Sequence, residues 1–197
     1  MKGLKVKIEN YNIKNFNELD STHKYVKDNI KSLEDKTIVI ANKQTDGIGT
    51  HGRTWYTGND KNIAMSILYK TNCKIQKLHT LTIDIANCIK NTIKELYNIE
   101  LEIKIPNDLL LNNKKVCGIL TEIHTISEKV NYIIISIGFN VNEINFNNEI
   151  SEKATSLKKE YKKDFDKDEI IQEIITKLEK EIIENLTSQT NEKLKKY

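Results

Sequence analysis

Three clusters in this 197-residue chain carry side chains or backbone suited to chemistry, and the densest is Gly47-Ile48-Gly49-Thr50-His51-Gly52-Arg53-Thr54. Its spacing fits G-x-G-x-x-G and also G-x-x-x-x-G-[K]-[ST], with Arg53 in the lysine slot. In both patterns glycines let backbone N–H groups approach a phosphate at a helix N-terminus. A β-branched run, Thr37 to Ala41, precedes the loop, but the required helix does not follow. Trp55-Tyr56-Thr57-Gly58-Asn59-Asp60 has turn composition instead. A dinucleotide fold also expects an acidic residue about 20 positions further on; this chain has the apolar run Ile67 to Tyr69 and then Lys70. The loop is either a plain turn between strands or, given its glycines and the adjacent guanidinium, a wrap for an anion.

The second cluster is Lys104-Ile105-Pro106-Asn107-Asp108, where the lone proline holds Ile105 extended and fixes where an amide and a carboxylate point. The third is Lys115, followed by Gly118. By residue type alone these are a polar turn and a solvated lysine in a lysine-rich chain.

The elements that must position them follow from periodicity. Asp20-Ser21-Thr22 supplies capping oxygens for a helix from about His23 to Leu33. Thr37–Ala41, Asn62–Tyr69 and Tyr132–Ile137 are buried strands. Leu78, Leu81, Ile85, Ile89, Ile93 and Leu96 recur at helical spacing and predict a helix from about Lys77 to Tyr97. Leu101–Ile105 and Asp108–Leu111 are short strands, and Asn112-Asn113 turns the second into a hairpin with Lys115–Ile123. Asp166 and Glu169 resemble a capping box for a last helix, with Ile171, Ile174, Leu178, Ile182 and Leu186 on one face. Helices at both ends and hairpin strands between them predict an α+β or mixed α/β architecture.

Composition narrows the partners. The chain has 31 Lys+Arg against 28 Asp+Glu, a net charge of +3 with interspersed signs. Beyond Lys193, Lys195 and Lys196 there is no basic stripe, which argues against nucleic-acid binding. No apolar run approaches the roughly 20 residues of a membrane span, and Met1 to Lys7 lacks the apolar stretch of a signal peptide. Three cysteines, Cys73, Cys88 and Cys117, are an odd set without metal-ligand spacing and predict reduced thiols in a cytoplasmic protein.

At the glycine loop the sequence resembles a known family. Thr45 to Trp55 is similar to the G-R-G-R-x-G-R-x-W loop of biotin protein ligases. In the same order, Asp20-Ser21-Thr22-His23 resembles D-S-T-N, and Lys104 to Asp108 resembles K-W-P-N-D. Lys115 to Glu122 resembles K-x-x-G-I-L-x-E, and Gly138 to Asn142 resembles G-x-N-V-N. The resemblance implies an α+β catalytic domain of class II synthetase type, with a central mixed, mostly antiparallel sheet flanked by helices. It implies one such domain over residues 1–197, with motifs in 20–142 and a closing helix at about 166–188. Neither an N-terminal DNA-binding domain nor a C-terminal small β domain is expected.

The implied activity joins biotin to ATP as biotinyl-5′-adenylate, then transfers biotin to a lysine of a biotin carboxyl carrier protein domain. On this resemblance Lys115 and Arg53 are catalytic. Ser21, Thr22, His23, Gln44, Gly47, Gly49, Lys115, Gly118 and Gly138 would bind biotin. Arg53, Trp55, Lys104, Asn107, Asp108 and Asn140 would bind ATP, with Asp108 on Mg²⁺. Many members form homodimers by joining sheets edge to edge, and the strand Tyr132–Ile137 is the candidate here. Four positions depart from the family pattern: Ile48 and Thr50 replace loop arginines, Ile105 replaces a tryptophan, and Ser136 replaces a glycine. The first two predict a weaker grip on the adenylate. Two alternatives stay open: a catalytically weakened biotin- or adenylate-binding module, and a lipoate–protein ligase-like acyl transferase.

Overall fold

In the computed structural model, which describes residues 8–57 and 60–187, the strands pair into one seven-stranded sheet of order β1-β2-β3-β7-β6-β5-β4. They are β1 (Asn12–Leu19), β2 (Thr37–Gln44), β3 (Ile63–Lys70), β4 (Glu102–Lys104), β5 (Asp108–Leu111), β6 (Lys114–Ile126) and β7 (Lys129–Phe139). Only β1 and β2 run parallel; they are joined through α1 (Thr22–Asp28). All other pairs are antiparallel. This is the expected mixed, mostly antiparallel sheet flanked by helices.

Local chemistry sets the element boundaries. Ser21 caps α1 by accepting from the Lys24 N–H. The helix ends at Asp28, short of Leu33, because Asn29 leaves helical geometry and its side chain donates to the Tyr25 carbonyl. α2 spans Leu81–Tyr97, and the first residues of the expected helix form a separate 3₁₀ turn, Ile75–Leu78. Asn112 and Asn113 both hold positive φ, 52° and 62°, as a two-residue hairpin turn of type I′ requires. Ser156 caps a short helix, α3 (Leu157–Tyr161). Asp166 caps α4 (Lys167–Leu178) through the N–H groups of Asp168 and Glu169. The Glu169 carboxylate accepts from Tyr97 Oη instead of returning to the cap, so only half of the capping box forms. A π-helical turn (Glu179–Ile183) and α5 (Glu184–Thr187) complete the closing helix. Residue 188, the Lys193–Lys196 tail, Met1 to Lys7, Gly58 and Asn59 lie outside the described residues.

The edge-to-edge homodimer through Tyr132–Ile137 does not fit this topology. That strand is the middle of β7, flanked by β3 and β6, and the sheet edges are β1 and β4. Its β-branched run is apolar because both faces are covered, not because an edge is exposed.

The two faces of the sheet are filled differently. One carries Ile38, Ile40, Ile63, Ile67, Ile135, Ile137 and Phe139, packed against Ile85, Ile89 and Ile93 of α2 and Ile171, Ile174 and Leu178 of α4. Each such side chain contributes roughly 1.5–3 kcal/mol by leaving water, so this layer is the rigid base. The other face has a smaller core, Val26, Leu33, Val39, Leu68 and Ile134, under α1. Beyond α1 this face carries a lateral row formed by Ala64, Gly138, Gly118 and Asp108 on β3, β7, β6 and β5. Three small residues side by side leave a trough above the sheet.

The three cysteines are unpaired and buried. No helix among the described residues is long and apolar enough to cross a membrane.

Candidate functional site

Lys115 reaches the trough because β6 is irregular. Leu109 pairs with Cys117 while Leu110 pairs with Lys115, so Val116 is an extra residue, a β-bulge. In a regular strand, residues three apart point to opposite faces. Here consecutive Val116 and Cys117 both enter the core below. The extra residue turns Lys115 onto the face of Gly118, where its Nζ lies 2.6 Å from Asp108 Oδ1. The Lys115 backbone is clamped from outside the sheet: its N–H donates to Lys153 O (2.8 Å), and its carbonyl accepts from Thr155 (2.9 Å).

The glycine loop folds over the trough as a miniature hairpin. Trp55 N donates to Gly47 O at 2.7 Å, Gly49 N donates to Arg53 O at 2.7 Å, and Ile48 bridges Thr54. A Cβ on Gly47 would sit 2.3 Å from Trp55 O, so only glycine admits this closure. The result lays the indole of Trp55 on the glycine row: a Cβ on Gly138 would fall 2.2 Å from its Cε2. Lys115 Nζ stands 5.4 Å from the indole centroid, within cation–π range. The Trp55 Nε1 is buried without a hydrogen-bond partner. In this structure it is the Trp55 indole that packs on the backbone of Gly118 and Gly138.

Two cavities meet at Lys115. The smaller, about 40 Å³, is lined by Ser21, Thr22, His23, Gln44, Ser136 and Gly138 among others. That volume admits about one water-sized group, whose share of liquid is roughly 30 Å³. The larger, about 440 Å³, is lined by Arg53, Lys104, Lys115, Lys153, Asp108 and Asn140 among others. Gly49, Thr50, Trp55 and Lys115 line both. Four cations against Asp108 and Glu152 make the larger cavity fit for a polyanion.

Most expected residues converge on this pair of cavities, with three changes of detail. Gly47 lies outside both linings and serves loop closure. Asn107 lines the small cavity, and its amide is held by Ile119 O at 3.0 Å. Arg53 lines the large cavity but is exposed, with Nε on Thr50 O (3.2 Å) and a terminal nitrogen on Thr50 Oγ1 (3.0 Å). Thr50, one of the residues standing where the family has arginine, thus anchors the arginine that is kept. Lys153 and the buried Ser66 and Ser136 were not expected; Lys153 belongs to a loop without periodicity, and no sequence signal marked it.

Behind the small cavity runs a continuous polar series. Gln44 Oε1 accepts from Thr22 N (2.8 Å) and Thr22 Oγ1 (3.0 Å). Ser66 Oγ lies 2.8 Å from Thr22 Oγ1 and 2.8 Å from Ser136 Oγ. His23 Nδ1 is 2.9 Å from Ser136 Oγ, and His23 Nε2 is 3.1 Å from Glu122 Oε2, which also receives Lys27 Nζ at 3.0 Å. Burial holds the pKa of His23 below the usual imidazole value, against the opposing pull of Glu122. Burial works against the Glu122 carboxylate too, but hydrogen bonds from Lys27 and His23 outweigh it and keep its pKa below the ordinary range.

Asp108 and Glu152 are the carboxylates lining the larger cavity. The Asp108 Oδ1 is buried, paired in charge with Lys115 yet without a well-directed hydrogen bond. No cluster of three or more His, Cys, Asp or Glu side chains that could hold a metal occurs among the described residues.

Comparison with known proteins finds relatives of this chain. The profile of the Biotin/lipoate A/B protein ligase family matches residues 16–140. The bifunctional ligase/repressor BirA of Bacillus subtilis (strain 168) is 33% identical over 188 residues, covering 94% of this chain and 58% of that protein. The human biotin–protein ligase is 29% identical over 157 residues, 75% of this chain and 21% of that protein. The chain thus spans little more than half the length of the Bacillus relative. Among solved structures, the biotin protein ligase of Aquifex aeolicus in complex with biotin and ATP superposes with a TM-score of 0.74 at 26% identity, covering 89% of this chain and 72% of that one. The family match spans strands β2 to β7 and every motif from the glycine loop to Asn140, and by that measure the chain belongs to the biotin/lipoate A/B protein ligase family.

Proposed function

We propose that this chain activates biotin with ATP and transfers it to a lysine of a biotin carrier protein domain. The observation that carries the reading is the position of Lys115 at the junction of a small polar cavity and a large cationic one. The bicyclic ureido ring enters the small cavity past Ser21, Thr22 and Gln44 once the Trp55 indole has moved. The carboxylate tail then points at Lys115, and the triphosphate lies in the larger cavity among Arg53, Lys104 and Lys153.

A biotin carboxylate oxygen attacks the α-phosphorus, the bond to the β-phosphate oxygen breaks, and pyrophosphate leaves. Two anions must meet for this to happen, and their repulsion dominates the barrier. Lys115 offsets it at the reacting atoms, and fixed donors in a poorly hydrated site act without reorganising. In the second step a carrier lysine amine attacks the acyl carbonyl, AMP leaves, and an amide forms with loss of one proton. No covalent enzyme intermediate is needed.

Mg²⁺ fits Asp108, whose buried Oδ1 lacks a directed donor, because this ion takes one or two carboxylates and completes its shell with phosphate oxygens and water. When bound it would neutralise phosphate charge. Asp108 would then release Lys115, its partner in the ligand-free protein, toward the reacting anions.

The test is biotin-dependent pyrophosphate release together with labelling of a biotin carrier domain. Release that depends on lipoate or octanoate would replace the reading with that of an acyl-transferring relative. Biotin binding without release would indicate a weakened module, the outcome favoured by the pinning of Arg53 on Thr50.

A further inference from the structure

Lys115 lies just past the point where β6 loses its neighbour. β7 pairs along β6 as far as Phe139 with Cys117, and the Asn140 N–H then donates to Val116 O at 2.8 Å. One residue further the segment Lys153 to Thr155 takes the place of β7, in a parallel bridge between Lys115 and Ala154. It gives the Lys115 N–H an acceptor and the Lys115 carbonyl a donor. A lysine has a long flexible stem, so the reach of its ammonium depends on where this clamp holds the backbone at its base.

One side chain anchors the clamp. Glu160, on α3, accepts from Thr155 Oγ1 through Oε1 (2.5 Å) and from Asn112 Nδ2 through Oε2 (2.6 Å). Thr155 is fully buried and donates its backbone N–H to Lys115 O. Asn112 opens the turn from β5 into β6, three residues before Lys115. The carboxylate therefore joins the hairpin that carries the lysine to the segment that clamps it. The Thr155 hydrogen bond outweighs the effect of burial and, with Asn112 and the charges of Lys114 and Lys162, holds the Glu160 pKa below the ordinary carboxylate range. Both oxygens are thus acceptors at neutral pH.

We propose that Glu160 is a positioning residue for the adenylation step: by joining Thr155 to Asn112 it fixes the backbone of Lys115, so that the ammonium meets both anions where the two cavities join. This rests on the biotin reading above and extends it to a side chain that lines neither cavity. The bridge is two links in series, and cutting either one frees the clamp from the hairpin. What matters is the pair of contacts, not the negative charge.

The experiment is steady-state measurement of biotin-dependent pyrophosphate release by the full chain, with ATP varied. Glu160→Ala should lower kcat and kcat/KM together by about 10–100-fold, the scale of a slightly misplaced catalytic group, with KM unchanged. Asn112→Gly keeps the positive φ of 52° and cuts only the second link. It should lower kcat by a similar factor, and the double variant should fall no further. Glu160→Gln, whose amide can accept from Asn112 and donate to Thr155, should restore most of the turnover. In a Lys115→Ala background Glu160→Ala should change nothing, because the group it positions is gone. Damage to the fold at large would lower the residual release in that background as well. Should Glu160→Ala not fold, Asn112→Gly with and without Lys115→Ala carries the same test. Full turnover in either single variant, a rise in KM alone, or an undiminished loss in the Lys115→Ala background overturns the proposal and leaves the biotin reading standing. An unmutated chain that releases no pyrophosphate with biotin overturns both.

Discussion

Replacing Gly138 by alanine tests the placement of Trp55 directly. The new Cβ would lie 2.2 Å from indole Cε2, 2.5 Å from Nε1 and 2.7 Å from Cδ2. To reach even 3.0 Å the ring must withdraw by about 0.8 Å, and a rigid bicycle cannot do so by rotating one torsion. Overpacking of this kind costs about 1–3 kcal/mol. Removing a glycine from a strand returns roughly 0.5–1 kcal/mol of chain entropy. The net loss is then up to about 2.5 kcal/mol, bounded because the indole can leave the trough altogether. Gly118→Ala is the internal control. Its nearest neighbours are the flexible end of Lys115 and Trp55 Cζ3, all at 3.1 Å, so its net effect should stay within about 1 kcal/mol. Trp55 is the only tryptophan, so emission reports its burial without labelling. Gly138→Ala should shift the emission to the red and lower the urea midpoint, while Gly118→Ala should do neither to a comparable degree. Identical spectra and midpoints for the two variants would refute the argument that the indole rests on Gly138.

Lys115→Ala should reduce biotin-dependent pyrophosphate release by roughly 10²–10³-fold or more, as loss of a charge-stabilising group does, with an unchanged circular dichroism melt; retained turnover would remove Lys115 from the chemistry. Because burial lowers the pKa of His23 in the folded protein, the unfolded chain binds the proton more readily. Stability is therefore full above the unfolded value of about 6.5 and declines as pH falls below it. Urea midpoints measured from neutral to mildly acid pH should show that decline, and His23→Asn should flatten it. Thr50→Arg adds a cation where both cavities meet but removes the hydroxyl that holds Arg53. It should slow release of the adenylate from the loaded enzyme, and an unchanged release rate in a chase experiment would show that the loop cations do not grip it.

What could be read in advance was whatever had a period or a motif. β2, β3 and β7 are apolar on successive residues because both faces of the sheet are covered, and that composition is visible without a structure. β1 escaped because an edge strand covered on part of one side shows no alternation: its residues are exposed at five of eight positions. α3 is too short to display a helical period. In the site, the motifs located the glycine loop, Lys115 and Asp108, because glycine spacing and an isolated proline leave a mark. Of the serines, Ser66 left none, and Ser136 stood out only as a departure from the family pattern. Ser66 and Ser136 lie inside β-branched runs where a hydroxyl registers only as a weakened strand, and their meaning depends on register across β3 and β7. The same central position of β7 that made its run so apolar removed it from the sheet edge where a dimer contact was expected.

The additional residue at Val116 makes the lysine's orientation a matter of counting. Were β6 to pair evenly with every residue kept, Lys115 would fall on the face opposite Gly118 and its ammonium would swing through to the oily underside against α2; losing one residue together with the bulge would leave it in the trough. Evolutionary drift could exchange almost any side chain on this strand more cheaply than it could straighten the bulge while keeping the residue count.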